Sequence, residues 1–275
     1  MSIFLSILLT KIIDNIFKSF RLILKRYLLF KCLKKFFLPY KRIIVKVGSS
    51  LLINKDFLKI RNEWLNALSE DISWLQSFKK EIIIVSSGAI ALGRSSFGPE
   101  NKTLNLEENQ AAAAIGQIEL AYSWKAALEK FNLKCAQILL SPDDTETRRK
   151  HLNARATIAK LIEANIIPVI NENDTITTSE IKFGDNDRLA ARVAQMSSSD
   201  LLILLSDIDG LYDKNPHSSE KANHIPKVKE INDEILKMAG SSHYKFSSGG
   251  MITKLEAAKI SSLSGCKMII CNGEE

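Results

Sequence analysis

From Lys41 onward, short β-branched runs alternate with longer stretches whose apolar positions recur every three or four residues. The runs Ile43–Val47, Ile82–Val85, Cys135–Leu140, Ile166–Ile170, Leu201–Leu205 and Met268–Cys271 predict strands. Between the first two, Phe57, Ile60, Trp64, Leu68, Ile72 and Leu75 keep helical spacing, and further helices are predicted over 108–130, 151–164, 187–196, 230–239 and 251–264. Strands that alternate with helices feed a parallel sheet, so the expected fold class is α/β. The polar stretch Asp213–Asn223, with Pro216 inside it, reads as a surface loop and not as a domain boundary.

Residues 1–40 follow a different pattern. Ile, Leu and Phe alternate with cations, and Lys11, Lys18, Arg21 and Lys25 fall at helical steps, which describes a basic amphipathic extension. The charges leave no run of ~18 uncharged apolar residues to span a bilayer, and no small-residue cleavage site follows a short apolar core. Three readings stay open: a helix on an anionic membrane surface, making weak contact there, a helix packed on a partner, or translated upstream sequence without a role.

With 45% hydrophobic and 25% charged residues, the 275-residue chain has the composition of an ordinary globular protein, which excludes disorder and fibre. The formal charge of +7 belongs to the extension, which holds eight cations and one acid, so the body is neutral. A basic stripe for nucleic acid therefore has no support, and a small partner is expected. Cys32, Cys135, Cys266 and Cys271 show neither a C-x-x-C pair nor zinc-ligand spacing. No metal site or disulfide framework is indicated, and a reducing, cytoplasmic setting fits.

The chemistry gathers where strands end. Val47-Gly48-Ser49-Ser50 and Val85-Ser86-Ser87-Gly88-Ala89 follow strands, and Ser247-Ser248-Gly249-Gly250-Met251-Ile252-Thr253-Lys254 precedes a helix. Small residues let backbone N–H groups approach an anion, so such loops suit phosphate; Lys46 and Lys254 accompany two of them. Neither G-x-x-x-x-G-K-[ST] nor G-x-G-x-x-G occurs, which disfavours a P-loop enzyme and a dinucleotide-binding Rossmann enzyme. Asn171-Glu172-Asn173-Asp174 and Gly184-Asp185-Asn186-Asp187 supply a dense polar cluster at the carboxyl end of the sheet, suited to a zwitterion or a metal-nucleotide. Ser206-Asp207-Ile208-Asp209-Gly210 empties a buried strand into an acidic turn. His151, His217, His224 and His243 lie outside these clusters, so no Ser/His or Cys/His nucleophile presents itself.

With those residues assembled, the chain from Lys41 to its end resembles the amino acid kinase family. Lys46-Val47-Gly48-Ser49-Ser50, Ser87-Gly88-Ala89, Ser206-Asp207 and Gly210-Leu211-Tyr212 carry the general likeness. Ser86–Ile90, Gln110–Gln117 (QAAAAIGQ), Asn153–Arg155, Pro168–Asp174, Lys182–Asp187 and Gly249–Lys254 point to its glutamate-phosphorylating branch. The resemblance implies a three-layer αβα sandwich over residues 41–275 and ATP-dependent phosphorylation of the γ-carboxylate of L-glutamate, the first step of proline synthesis. It implies that Lys46 and Lys254 hold the transferring phosphoryl group, with Asp187 orienting both lysines. Ser87, Gly88, Asn171, Asp174 and Asn186 would bind glutamate, Asp174 meeting its ammonium. Lys46, Gly48, Ser206, Asp207 and the segment Ser248, Gly249, Gly250, Met251, Ile252, Thr253 and Lys254 would bind ATP, accompanied by Mg2+. A homo-oligomer, dimer or tetramer, and feedback by proline are further implications.

The chemistry agrees with that likeness. A γ-carboxylate of pKa ~4.3 is ionised at neutral pH and needs no general base. The obstacle is the approach of two anions, since unit charges ~4 Å apart at an effective dielectric of ~20 repel by about 4 kcal/mol. Two lysines and a magnesium ion answer it. Against the family pattern, the chain stops at Asn272-Gly273-Glu274-Glu275, short of the strand that closes such domains and of the PUA domain many members append. The competing expectation is thus a truncated, catalytically impaired remnant acting as a binding module; a different small acid as acceptor is a third.

Overall fold

The computed structural model describes residues 32–54, 58–99, 102–176, 186–214, 216, 222–240 and 250–274. In chain order the strands are β1 (Arg42–Val47), β2 (Ile53–Asn54), β3 (Lys59–Ile60), β4 (Glu81–Ser86), β5 (Lys134–Leu140), β6 (Ile166–Glu172), β7 (Leu201–Ser206), β8 (Leu211–Tyr212), β9 (His224–Ile225) and β10 (Lys267–Asn272). The helices are α1 (Ser49–Leu52), α2 (Asn62–Ser77), α3 (Ala89–Gly93), α4 (Leu106–Glu129), α5 (Pro142–Glu146), α6 (Arg148–Glu163), α7 (Asn186–Ser197), α8 (Asp233–Gly240) and α9 (Met251–Leu263). All six strands expected from the pattern form, in one parallel sheet of order β10-β7-β1-β4-β6-β5.

Alternation along the strands divides the core in two. Ile43, Val45, Val47, Ile82, Ile84, Leu201 and Ile203 face α2 and α4, whose Trp64, Leu68, Ile72, Leu120 and Trp124 cover them. Ile44, Ile83, Val85, Ile170, Leu202 and Leu204 face the other way, onto Ile158 of α6, Ala190 and Val193 of α7 and Ala257 of α9. Period-2 side chains on strands buried from both sides produce the three αβα layers. The helix expected from Phe57 starts only at Asn62, because Ile60 is drawn into the β2–β3 ribbon opposite Ile53. The ends of the stretch Asp213–Asn223 are tied, with Asn223 N–H and Nδ2 donating to the Asp213 carboxylate.

Residues 1–31 of the basic extension lie outside the described residues. Its last turn, residues 32–37, is helical, and Leu33 and Phe37 are buried in the α2-side core. Phe37 stands edge-on to Trp74, Lys34 lies over the Phe78 ring, and Lys80 Nζ donates to the carbonyls of Leu38 and Tyr40. This packing sits by the N-terminal ends of the strands, the rim opposite the loops singled out above. Among the described residues, no helix is long and apolar enough to cross a membrane.

At the other rim, α3 and α4 meet backbone to backbone. A Cβ on Gly116 would stand 1.9 Å from the Ala89 carbonyl oxygen, and one on Gly93 2.0 Å from that of Ala112. The small residues of QAAAAIGQ therefore set how closely α4 approaches the loop that follows β4. Beyond β10, Gly273 N–H donates to the Ser206 carbonyl at 2.8 Å, its own carbonyl accepts from Trp64 Nε1 at 2.6 Å, and Glu274 pairs with Arg61 at 2.8 Å.

Two stability predictions follow from this packing. Phe37→Ala is expected to cost about 3–5 kcal/mol in chemical denaturation, the range for a buried aromatic; a loss below about 1 kcal/mol would mean that residues 32–40 are peripheral. Gly116→Ala is expected to lower stability by about 1–3 kcal/mol, since backbone must move to admit a single methyl.

Candidate active site

The site residues converge on the carboxyl ends of β1, β4, β6 and β7. Chain order steps from β1 towards β4 and β6, then reverses to β7 and β10 on the other side of β1. Ligands bind at such a reversal because the connections diverge there and leave a crevice. Lys46, at the end of β1, stands between Ser206 of β7 on one side and Ser87, Asn171 and Asp174, which follow or end β4 and β6, on the other.

Alternation puts Lys46 on the α7 and α9 side of the sheet, where it meets two first-turn residues. Lys46 Nζ lies 2.6 Å from Asp187 Oδ1, and Lys254 Nζ lies 3.1 Å from Asp187 Oδ2. Thr253 Oγ1 donates to that second oxygen at 3.1 Å while also reaching the Gly250 carbonyl. Side chains of all three charged residues are almost fully buried, Asp187 at 1% exposure. Burial alone would raise the Asp187 pKa, but Lys46 and then Lys254 outweigh it and hold the carboxyl below its ordinary range. One carboxylate between two ammonium groups leaves a net positive charge in a desolvated place, which is favourable only when an anion joins it. Arg188 of α7 grips Glu256 of α9 and ties the two helices that carry the cluster.

The residues that follow or end β4 and β6 have the opposite character. Asn186 Nδ2 donates to Ser87 Oγ at 2.9 Å, and Asn171 Nδ2 to Gln117 Oε1 at 2.8 Å. Both amides have their N–H ends engaged, and Asn171 Oδ1, Asn186 Oδ1 and Asp174 Oδ1 are buried with no hydrogen-bond partner among the described residues. Buried polar atoms are almost always paired, so these three oxygens stand out among the described residues. Desolvation raises the Asp174 pKa to about 6. Gly88, at φ +117°, turns the chain after Ser87 in a conformation that side-chain-bearing residues rarely adopt. Trp124 Nε1 donates to Ser86 Oγ at 2.9 Å, anchoring the same turn to α4.

Of the remaining expected residues, Ser206 ends β7 buried, its hydroxyl donating to Asp207 Oδ1 at 3.0 Å, while the Asp207 residue is exposed. Gly48 keeps an extended conformation, and a Cβ there would still lie 3.9 Å from Lys46 Nζ, so the turn leaves room beside the lysine. Gly250 precedes α9, Met251 and Thr253 are half-buried in its first turn, and Ile252 points outward. Ser248 and Gly249 lie outside the described residues, as do Gly184 and Asp185. Sequence reasoning assigned no role to Thr253 on Asp187 or to Gln117 and Trp124 at the ends of β6 and β4; the QAAAAIGQ run signalled Gln117, the Gly249–Lys254 run contained Thr253, and Trp124 had no signal. Cys266 and Cys271 are buried thiols pushed up to about 12, which leaves them without nucleophilic character.

The raised pKa of Asp174 makes a signed prediction. For a carboxyl whose folded pKa exceeds its unfolded value, the stability contribution is fully present below the unfolded pKa, 3.8 here, and is lost as pH rises through about 6. Asp174→Asn is therefore expected to stabilise the ligand-free protein at pH 7.5 by up to about 3 kcal/mol, the gain shrinking towards pH 4. Thermal unfolding of both forms at the two pH values checks this, and a pH-independent difference would contradict it.

Comparison with known proteins agrees with this architecture. The family model described as amino acid kinase family matches residues 41–272. A glutamate 5-kinase from Nitrobacter hamburgensis is 55% identical over 242 residues, covering 88% of this chain and 63% of the relative. One from Gluconobacter oxydans is 52% identical over 235 residues, covering 86% and 62%. The chain thus spans somewhat under two thirds of the length of these relatives. Among solved structures, carbamate kinase from Giardia lamblia bound to AMP-PNP superimposes with a TM-score of 0.58 at 18% identity, covering 86% of this chain and 93% of that one. Isopentenyl phosphate kinase from T. acidophilum, in a product complex, gives 0.57 at 16% identity, covering 85% and 92%. Sequence match and parallel-sheet topology coincide over the same residues, and the chain belongs to the amino acid kinase family.

Proposed function

We propose that the protein transfers the γ-phosphoryl group of ATP to the side-chain carboxylate of L-glutamate, yielding γ-glutamyl phosphate and ADP. The observation that carries this reading is the Asp187 bridge between Lys46 and Lys254, accompanied by buried side-chain oxygens of Asn171, Asp174 and Asn186 that lack partners among the described residues. The relatives named glutamate 5-kinase support the acceptor, and the fold neighbour bound to AMP-PNP supports the nucleotide. An assembled charge cluster and pocket favour this reading over an impaired remnant.

In this reading Asp174, with the bare oxygens of Asn171 and Asn186, holds the substrate ammonium, while Ser87 orients the chain that ends in the γ-carboxylate. One carboxylate oxygen attacks the γ-phosphorus, the bond to the β-phosphate oxygen breaks, and ADP departs with that electron pair. No proton moves, so no general base is needed. Lys46 and Lys254 offset charge on the transferring oxygens, and Asp187 keeps both ammonium groups in place before the anion arrives. Among the described residues no group of three His, Cys, Asp or Glu is placed to hold a metal ion. Magnesium would accompany the nucleotide and supply further charge neutralisation at its phosphates.

The proposal extends to a homo-oligomer. Ile115, Ile118 and Tyr122 form an exposed apolar stripe on α4, 47%, 75% and 71% accessible, beside the edge strand β5. The cytoplasm is the proposed compartment, supported by four unpaired cysteines. Control by proline and weak contact of residues 1–40 with an anionic membrane remain part of the proposal, supported respectively by the family likeness and by the basic pattern of the extension.

Hydroxylamine trapping of the acyl phosphate tests the reaction. With Mg2+, ATP and L-glutamate the protein is expected to form glutamate-dependent hydroxamate, and Lys254→Ala to lower the rate by about 10^2–10^3-fold, as for loss of one transition-state contact. The Lys46–Asp187 pair stays matched in that variant, so its fold is expected to persist. Unchanged turnover would remove Lys254 from the transfer site.

A further inference from the structure

The two oxygens of Asp187 are held unequally. Oδ1 faces the Lys46 ammonium at 2.6 Å, whereas Oδ2 accepts from both Lys254 Nζ and Thr253 Oγ1, each at 3.1 Å. Thr253 and Lys254 are consecutive in the first turn of α9, so one stretch of backbone delivers two donors to one atom. The donors differ in stiffness. A lysine ammonium rides on a flexible four-carbon stem, while a threonine hydroxyl sits directly on a branched Cβ with restricted χ1.

The hydroxyl has one hydrogen and two acceptors in reach, Asp187 Oδ2 and, at 2.8 Å, the Gly250 carbonyl. That carbonyl already accepts the backbone N–H of Thr253 at 3.1 Å and that of Lys254 at 3.4 Å. An ionised carboxylate is the stronger acceptor and cannot donate in return, so the sense of the contact is fixed: Thr253 donates and Asp187 accepts. With its one hydrogen engaged inside the protein, the hydroxyl has none to offer a phosphate oxygen.

The terminal bond of an aspartate side chain has a broad rotational profile. In the transfer proposed above, Lys254 turns its ammonium towards the phosphoryl group and loosens its hold on Oδ2, a movement that the short threonine side chain cannot follow. We infer that Thr253 is a positioning residue whose hydroxyl keeps Asp187 Oδ2 in place while Lys254 serves the phosphoryl group, so that Oδ1 stays on Lys46 throughout. The inference rests on the phosphoryl-transfer reading and gives Thr253 a task other than the ATP contact implied by the family likeness. Docking of α9 on α7 does not depend on this hydroxyl, because the Arg188–Glu256 pair and the buried Ala257 hold the two helices together.

Steady-state kinetics of the full chain with three variants tests it. Thr253→Val keeps the shape of the side chain, Thr253→Ala favours the helix, and both remove the donor. Each is expected to lower kcat about tenfold, with both KM values within about twofold of wild type and the thermal midpoint close to it. Thr253→Ser keeps the hydroxyl and is expected to retain kcat within about threefold of wild type. An unchanged kcat in Thr253→Val or Thr253→Ala, or a Thr253→Ser loss as large as theirs, would overturn the inference. So would a raised KM for ATP at unchanged kcat, which would make the hydroxyl a nucleotide contact, and a lowered midpoint or failure to fold in both Thr253→Val and Thr253→Ala, which would make it a structural one. Absence of glutamate-dependent turnover in the wild-type chain would instead overturn the reading on which the inference stands.

Discussion

The arrangement of the site depends on one buried carboxylate held between two buried ammonium groups. Asp187 draws Lys46 from the central strand and Lys254 from a helix 67 residues further along the chain to a common point. Removing ions from water is costly, and the cost is offset only if geometry and pairing are good. Here the pairing is deliberately incomplete, because the three groups sum to one positive charge. The fold therefore carries an unfinished electrostatic balance that an anion would complete.

Asn186 and Asn171 carry the opposite imbalance. Their amide donors are occupied, by Ser87 and by Gln117, and their acceptors have no partner among the described residues. An Asp174 carboxyl raised to about 6 is a further stored cost. Folding alone would be better served by partners for these atoms, so the site gives up stability for pre-organisation.

The helix α4 couples this pocket to the rest of the molecule. Gly116 lets it lie against α3, Gln117 and Trp124 reach the ends of two strands, and Ile115, Ile118 and Tyr122 face outward. Inner polar anchors and an outer apolar stripe thus share one helix, which reaches the ends of β4 and β6 on one face and lies open on the other.

Much of this was legible in the linear pattern. Alternating β-branched runs and helical stretches specified six strands and the layered class, because burial on both faces imposes period-2 apolar runs that survive without context. The clusters around Lys46, Ser87, Asn171–Asp174 and Asn186–Asp187 were visible because small and polar residues gather where strands end. Other features had no local signature. Nothing near Asp187 in sequence announces Lys254, since an ion pair across 67 residues exists only once β1, α7 and α9 are packed. The docking of Leu33 and Phe37 depended on a surface formed by α2, and the hydrogen bond of Asn171 on a glutamine 54 residues away. Sequence by itself determined which residues could be buried and which chemistry was present; tertiary structure alone decided which charges met and which hydrogen-bonding ends stayed open, because those depend on distances that only the packed layers define.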